Sequence, residues 1–124
     1  MNYLIIFLGG GLGSVLRFVI SSFISRRVTE TFPLSTLSVN LIGAFLIGVI
    51  IESLALKYSV SENLRYLLVT EFLGGFTTFS AFSLESALMW TRGDYLSLAT
   101  YIFLSVIGTI IAVLAAMHLT RIFI

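Results

Sequence analysis

Asn40, Tyr101, Ser105 and Thr109 sit inside long apolar stretches, as do Arg17, Glu71 and Glu85. Polar groups are costly there, so these are the side chains that could carry chemistry. Tyr101, Ser105 and Thr109 recur every fourth residue, which puts three hydroxyls on one helix face and ends at Val113. Such a stripe reads either as Ser and Thr bonding back to their own helix carbonyls or as a hydroxyl track beside a pore. The Asn40 amide could donate to an anion or join two helices. Arg17 reads either as an arginine snorkelling to headgroups or as a cation that raises local anion concentration at a pore mouth. Glu71 and Glu85, as intramembrane carboxylates, point by default to a proton or cation site. Glu85 is close enough to Trp90 to reach a wet vestibule, and Glu71 lies towards the opposite interface.

Phe79 and Phe82, three apart, follow the stretch Gly74-Gly75-Phe76-Thr77-Thr78. Aromatic pairs at this spacing usually pack in a core. Their ring edges are also electropositive and could stabilise a small anion without holding it too tightly to leave. The stretch before them reads badly as continuous helix. Adjacent glycines weaken it, and adjacent threonines crowd it and compete for backbone bonds. In a bilayer, irregular backbone survives only where protein or a wet cavity covers it. A broken membrane helix is therefore expected near residues 74–80.

The elements that must position these groups are set by composition. Hydrophobic residues make up 58% of the 124 residues and charged residues 10%, against roughly 25% charged in a soluble domain. Mean hydropathy is +1.09. Net charge is +1, which excludes a nucleic-acid electrostatic footprint, and the absence of cysteine excludes disulfides and thiolate sites. The lone histidine, His118, makes no metal cluster, and no catalytic constellation points to an enzyme. Apolar segments at about 3–25, 36–56, 64–90 and 95–120 each reach the roughly 20 residues that span a hydrocarbon core. One all-α domain over 1–124, with four transmembrane helices, is expected. Pro33 separates the first two segments; Ser59 with Glu62 fits a capping box; Gly93 then Asp94 fits a helix stop and an N-cap. A signal peptide fits the first segment poorly, because no basic region precedes it and no clean cleavage site ends it.

Four spans put Lys57, Arg65 and Arg121 on one side and Arg26, Arg27 and Arg92 on the other, a balance of three against three. The positive-inside rule then selects no direction. The balance is compatible with insertion both ways and pairing of opposite copies, or with one orientation set by other means. Small residues four apart recur at Gly9 and Gly13, Gly10 and Ser14, Ala44 and Gly48, and Gly108, Ala112 and Ala116. They permit close helix approach, chiefly within one chain. The run Gly9-Gly10-Gly11-Leu12-Gly13 is no nucleotide loop, since no strand precedes it and no acidic partner follows suitably.

Taken together, Gly9-Gly10-Gly11-Leu12-Gly13 with Arg17, Thr36-Leu37-Ser38-Val39-Asn40-Leu41-Ile42-Gly43, and Gly74-Gly75-Phe76-Thr77-Thr78-Phe79-Ser80-Ala81-Phe82-Ser83 resemble the Fluc/CrcB fluoride channels over essentially the whole chain. The resemblance implies an antiparallel, dual-topology homodimer in the cell membrane that exports fluoride passively through two pores. It implies a central structural sodium ion, not transported, on the backbone carbonyls of Gly74 and Thr77 in a broken third helix. It also implies pore or vestibule roles for Arg17, Asn40, Phe79, Phe82, Glu85, Tyr101, Ser105 and Thr109. Two positions depart from the pattern: Glu71 stands where the family usually has glycine, and Val113 where some members continue the hydroxyl track. A small dual-topology multidrug/proton antiporter shares the size and charge balance, but the first segment lacks the acid such a protein needs.

Overall fold

A computed structural model describes residues 3–27, 32–56 and 61–124. Four helical spans cross it: α1 (Tyr3–Ser25), α2 (Leu34–Leu56), a composite third span over Glu62–Thr91, and a final helix over Tyr95–Phe123. The third span comprises α3 (Glu62–Arg65), a π-helical stretch (Tyr66–Leu73), a short α4 (Gly74–Phe76) and α5 (Phe79–Thr91); the last span is α6 (Tyr95–Phe123). Two helices extend beyond the sequence expectations: α2 starts at Leu34 and α6 runs on to Phe123. At about 1.5 Å per residue, α6 is longer than a hydrocarbon core is thick, so its end projects into the interface or the helix tilts.

The joints follow local chemistry. Pro33, which has no N–H to waste at a helix start, offers its carbonyl to Leu37 N–H at 3.2 Å. Ser59 lies outside the described residues, and the cap that opens the third span is Ser61, whose Oγ accepts from Leu64 N–H at 3.3 Å. The end of α5 is a Schellman turn. Gly93 takes φ +75°, Gly93 N–H donates to Trp90 O, and Asp94 N–H donates to Met89 O, both at 3.0 Å. Asp94 occupies the N-cap position of α6, but its side chain makes no capping bond; the backbone turn has already fixed the chain direction. Trp90 and Tyr95 stack edge-on at 5.1 Å across this turn, and Arg27 lies 4.3 Å over the Phe23 ring. Both pairs suit a membrane–water boundary.

In lipid, apolar area does not drive helices together, so close backbone approach must. The glycines supply it. A Cβ on Gly13 would collide with the Phe72 carbonyl, one on Gly75 would come within 2.5 Å of Gly10 O, and one on Gly48 within 2.5 Å of Val113 O. Hence α1 lies against the π stretch and α4, while α2 lies along α6. Two small cores result. Leu37, Met89 and Tyr101 form one, and Val39, Leu73 and Phe76 the other. The outward faces are apolar and open, as at Phe18 and Leu96, which is a surface for lipid rather than water.

The third span is bent, and the bend is at the threonines. Gly74 is still helical, at φ −63° and ψ −38°. Thr77 (φ −87°, ψ 162°) and Thr78 (φ −151°, ψ 123°) are extended. The helix break expected near residues 74–80 is thus a bend within that stretch, set at the threonines and not at the adjacent glycines. β-Branched side chains accept extended torsions readily, while the glycines are used for contact with α1.

Candidate functional site

Asn40, on α2, faces the bend and grips one residue of it twice. Its Nδ2 donates to Thr78 O at 3.0 Å, and Thr78 N–H donates to its Oδ1 at 2.9 Å. A side-chain amide thus stands in for a missing strand or helix neighbour, and both backbone groups of Thr78 are satisfied. In a continuous helix Thr78 N–H would serve Gly74 O. Here that donor is diverted, and Gly74 O loses it. Likewise Ala81 N–H donates to Thr78 Oγ1 at 3.1 Å, which caps α5 and leaves Thr77 O without its helical donor. Thr77 folds its own hydroxyl back, donating to Leu73 O at 3.0 Å. From α1, Ser14 Oγ and Arg17 Nη1 reach Gly75 O and Thr77 O, each at 3.5 Å.

A cavity of about 400 Å³ opens beside the bend, bordered by Asn40, Phe79, Phe82, Ser105, Thr109 and Val113. Among the described residues, no ionisable side chain lines it. Phe79 and Phe82 meet at 5.5 Å and 46°, and Phe82 meets Tyr101 at 5.1 Å and 47°. Phe32 then closes a run of rings edge-on to Tyr101 at 5.6 Å. Phe79 remains 77% exposed, so the cavity has one side that this chain alone does not cover.

The hydroxyl stripe divides. Thr109 donates to carbonyls of its own helix, Ser105 O and Val106 O. By contrast, Ser105 Oγ and Tyr101 OH are buried without a hydrogen-bond partner among the described residues. A buried O–H in that state costs free energy until it finds an acceptor. Asn40 offers a further donor, since Thr78 O uses only one of its two amide N–H groups.

The remaining candidates lie in separate hollows. Glu85 borders a hollow of about 370 Å³ with Arg92 and Thr36, and Thr36 Oγ1 donates to Glu85 Oε1 at 2.5 Å. Arg17 borders another of about 620 Å³ with Ser14, Ser21 and Ser80. Glu71 packs its Cβ towards Gly9 on α1, away from the first cavity. Gly74 has open space where a Cβ would be.

Sequence reasoning missed Thr36 and Glu52. Glu52 is 5% exposed, and its Oε1 accepts from Arg121 Nε and Nη2, both at 2.9 Å. The signal was available: with four spans, Glu52 and Arg121 must lie near one membrane face, and Thr36 and Glu85 near the other.

Four spans, apolar outside and polar around a bend, make this a small multi-pass membrane protein. The sequence profile described as CrcB-like protein, Camphor Resistance (CrcB), matches residues 4–117, and the chain belongs to that family. Its relatives include proteins named Fluoride-specific ion channel FluC. That of Granulibacter bethesdensis is 44% identical over 121 residues, 98% of this chain and 95% of the relative. Those of Chelativorans sp. and Rhizobium johnstonii are 42% and 45% identical, covering 97% and 91% of this chain and 96% and 90% of their own lengths.

Proposed function

We propose that this chain forms a fluoride-selective channel that lets cytoplasmic fluoride leave passively across the cell membrane. The observation that carries this reading is its near full-length similarity, at 42–45% identity, to proteins named as fluoride-specific channels. Passive exit suffices physically. Hydrogen fluoride enters as a neutral weak acid and dissociates inside, so the anion leaves down its own gradient. The cavity beside the bend suits a small, strongly hydrated anion. Ring edges of Phe79 and Phe82, the Ser105 hydroxyl and the spare Asn40 N–H, all on its border, can replace water, with no fixed cation to trap the ion; Tyr101 stacks behind Phe82. Thr109, Arg17 and Glu85 flank this path, Arg17 and Glu85 as vestibule groups.

The working unit in this proposal is an antiparallel homodimer with two pores. The balanced loop charges and the uncovered Phe79 support it. The bend in the third span then acts as a helix break at the dimer centre. Gly74 O and Thr77 O have lost their helical donors, and hard carbonyl oxygens fit a hard cation. These atoms would hold a structural sodium ion, which offsets the carbonyl dipoles that two chains bring together. An antiporter reading finds no acid on α1.

Reconstitution into fluoride-loaded vesicles, followed by a fluoride electrode, tests the proposal. Rapid fluoride efflux with little chloride efflux is expected, and Phe79→Ile or Phe82→Ile should cut it. Equal passage of both halides, or no fluoride efflux, would overturn the reading.

A further inference from the structure

Arg17 lies where its charge has two uses. Its Nη1 donates to Thr77 O at 3.5 Å, the carbonyl assigned above to a cation. That oxygen has no helical donor, because Ala81 N–H goes to the Thr78 hydroxyl. The contact is at the outer limit for a hydrogen bond, so it is weak and easily exchanged. Room to move exists: Arg17 borders a hollow of about 620 Å³ whose wall carries the hydroxyls of Ser14, Ser21 and Ser80. A guanidinium and a metal ion on the same carbonyl would repel at contact range. Only one of them can hold it.

We propose that Arg17 is a built-in stand-in for the cation. It occupies the Thr77 carbonyl until a small monovalent ion binds, and is then released into the adjoining hollow, where it faces incoming anions. The proposal rests on the cation reading of Gly74 and Thr77. Cation binding and the position of Arg17 are then linked, and linkage runs both ways. Removing Arg17 tightens cation binding. An anion that holds Arg17 in the hollow does the same, so fluoride and sodium bind with positive cooperativity.

The test is thermal unfolding of the purified protein titrated with sodium chloride, with N-methylglucamine chloride keeping ionic strength constant. Wild type should be stabilised saturably by sodium. Arg17→Gln should reach half-saturation at about five- to tenfold lower sodium, at the modest end of usual coupling strengths. Arg17→Lys keeps the charge but is too short to bridge a contact already stretched with arginine, so it should tighten binding nearly as much. Fluoride should lower the half-saturating sodium of wild type and leave that of Arg17→Gln unmoved. An unchanged or weakened sodium response in Arg17→Gln would overturn the proposal. So would tightening in Arg17→Gln but not in Arg17→Lys, since charge alone would then suffice. A wild type indifferent to sodium yet passing fluoride would remove the cation reading and this inference with it, while leaving the channel standing. Indifference to sodium together with absent fluoride efflux would remove both.

Discussion

Asn40→Leu removes the double grip on Thr78 while keeping side-chain volume nearly constant. Two backbone groups lose their partners: Thr78 N–H, bonded at 2.9 Å, and Thr78 O, bonded at 3.0 Å. An unsatisfied buried polar group costs about 1–3 kcal/mol, which would give about 2–6 kcal/mol for the pair. One loss is recoverable. Thr78 N–H can return to Gly74 O if the bend straightens, which returns about 1–2 kcal/mol. The expected destabilisation is therefore about 1–4 kcal/mol. Asn40→Asp should cost at least as much, because it keeps the acceptor for Thr78 N–H but sets a carboxylate against Thr78 O. Unfolding in detergent with rising denaturant measures the change, and amide exchange at Thr78 reports the bond itself. If Asn40→Leu moves stability by less than about 0.5 kcal/mol, as an ordinary surface substitution does, with Thr78 exchange unchanged, then Asn40 does not hold the bend and the reasoning fails.

Two further outcomes follow from packing and charge. Gly13→Ala drives a methyl into the Phe72 carbonyl, a backbone atom that cannot swing aside, and should cost about 1–3 kcal/mol. Gly11→Ala meets open space and should be neutral or stabilising by up to about 1 kcal/mol; similar unfolding midpoints for the two variants would refute the close-approach account. The Glu52–Arg121 pair is lopsided, with side chains 6% and 65% exposed. Arg121→Ala strands a buried carboxylate and should cost about 3 kcal/mol, whereas Glu52→Gln leaves a solvated guanidinium and should cost about 1 kcal/mol or less. Equal losses in denaturant unfolding would contradict that asymmetry.

The four spans were legible because hydropathy and length depend on composition alone. The interruption was legible to within residues 74–80, but neither that it is a bend nor which residues make it could be read. Both Gly74-Gly75 and Thr77-Thr78 are poor helix formers, and propensity cannot say which pair a neighbouring helix will recruit for contact. By sequence, Asn40 reads as helix glue or anion donor. The geometry gives it the first role towards Thr78 and leaves one N–H for the cavity. The stripe of Tyr101, Ser105 and Thr109 shared a face as spacing required. Which hydroxyls would fold back was not readable, because that depends on rotamer and neighbours. Thr36 and Glu52 escaped notice because a pair across helices is visible only after levels in the membrane are compared.

The π-helical stretch Tyr66–Leu73 has a consequence for chain length. Its bonds run from i to i+5, so it accommodates one residue more than an α-helix of equal phase. Losing one residue there lets the stretch relax to ordinary pitch while Gly74 and everything after it keep their bearing. The same deletion within α2 would swing all that follows by about 100° and carry Asn40 or its partners out of alignment. The segment is a slack link, and it is where this chain can be shortened without being rebuilt.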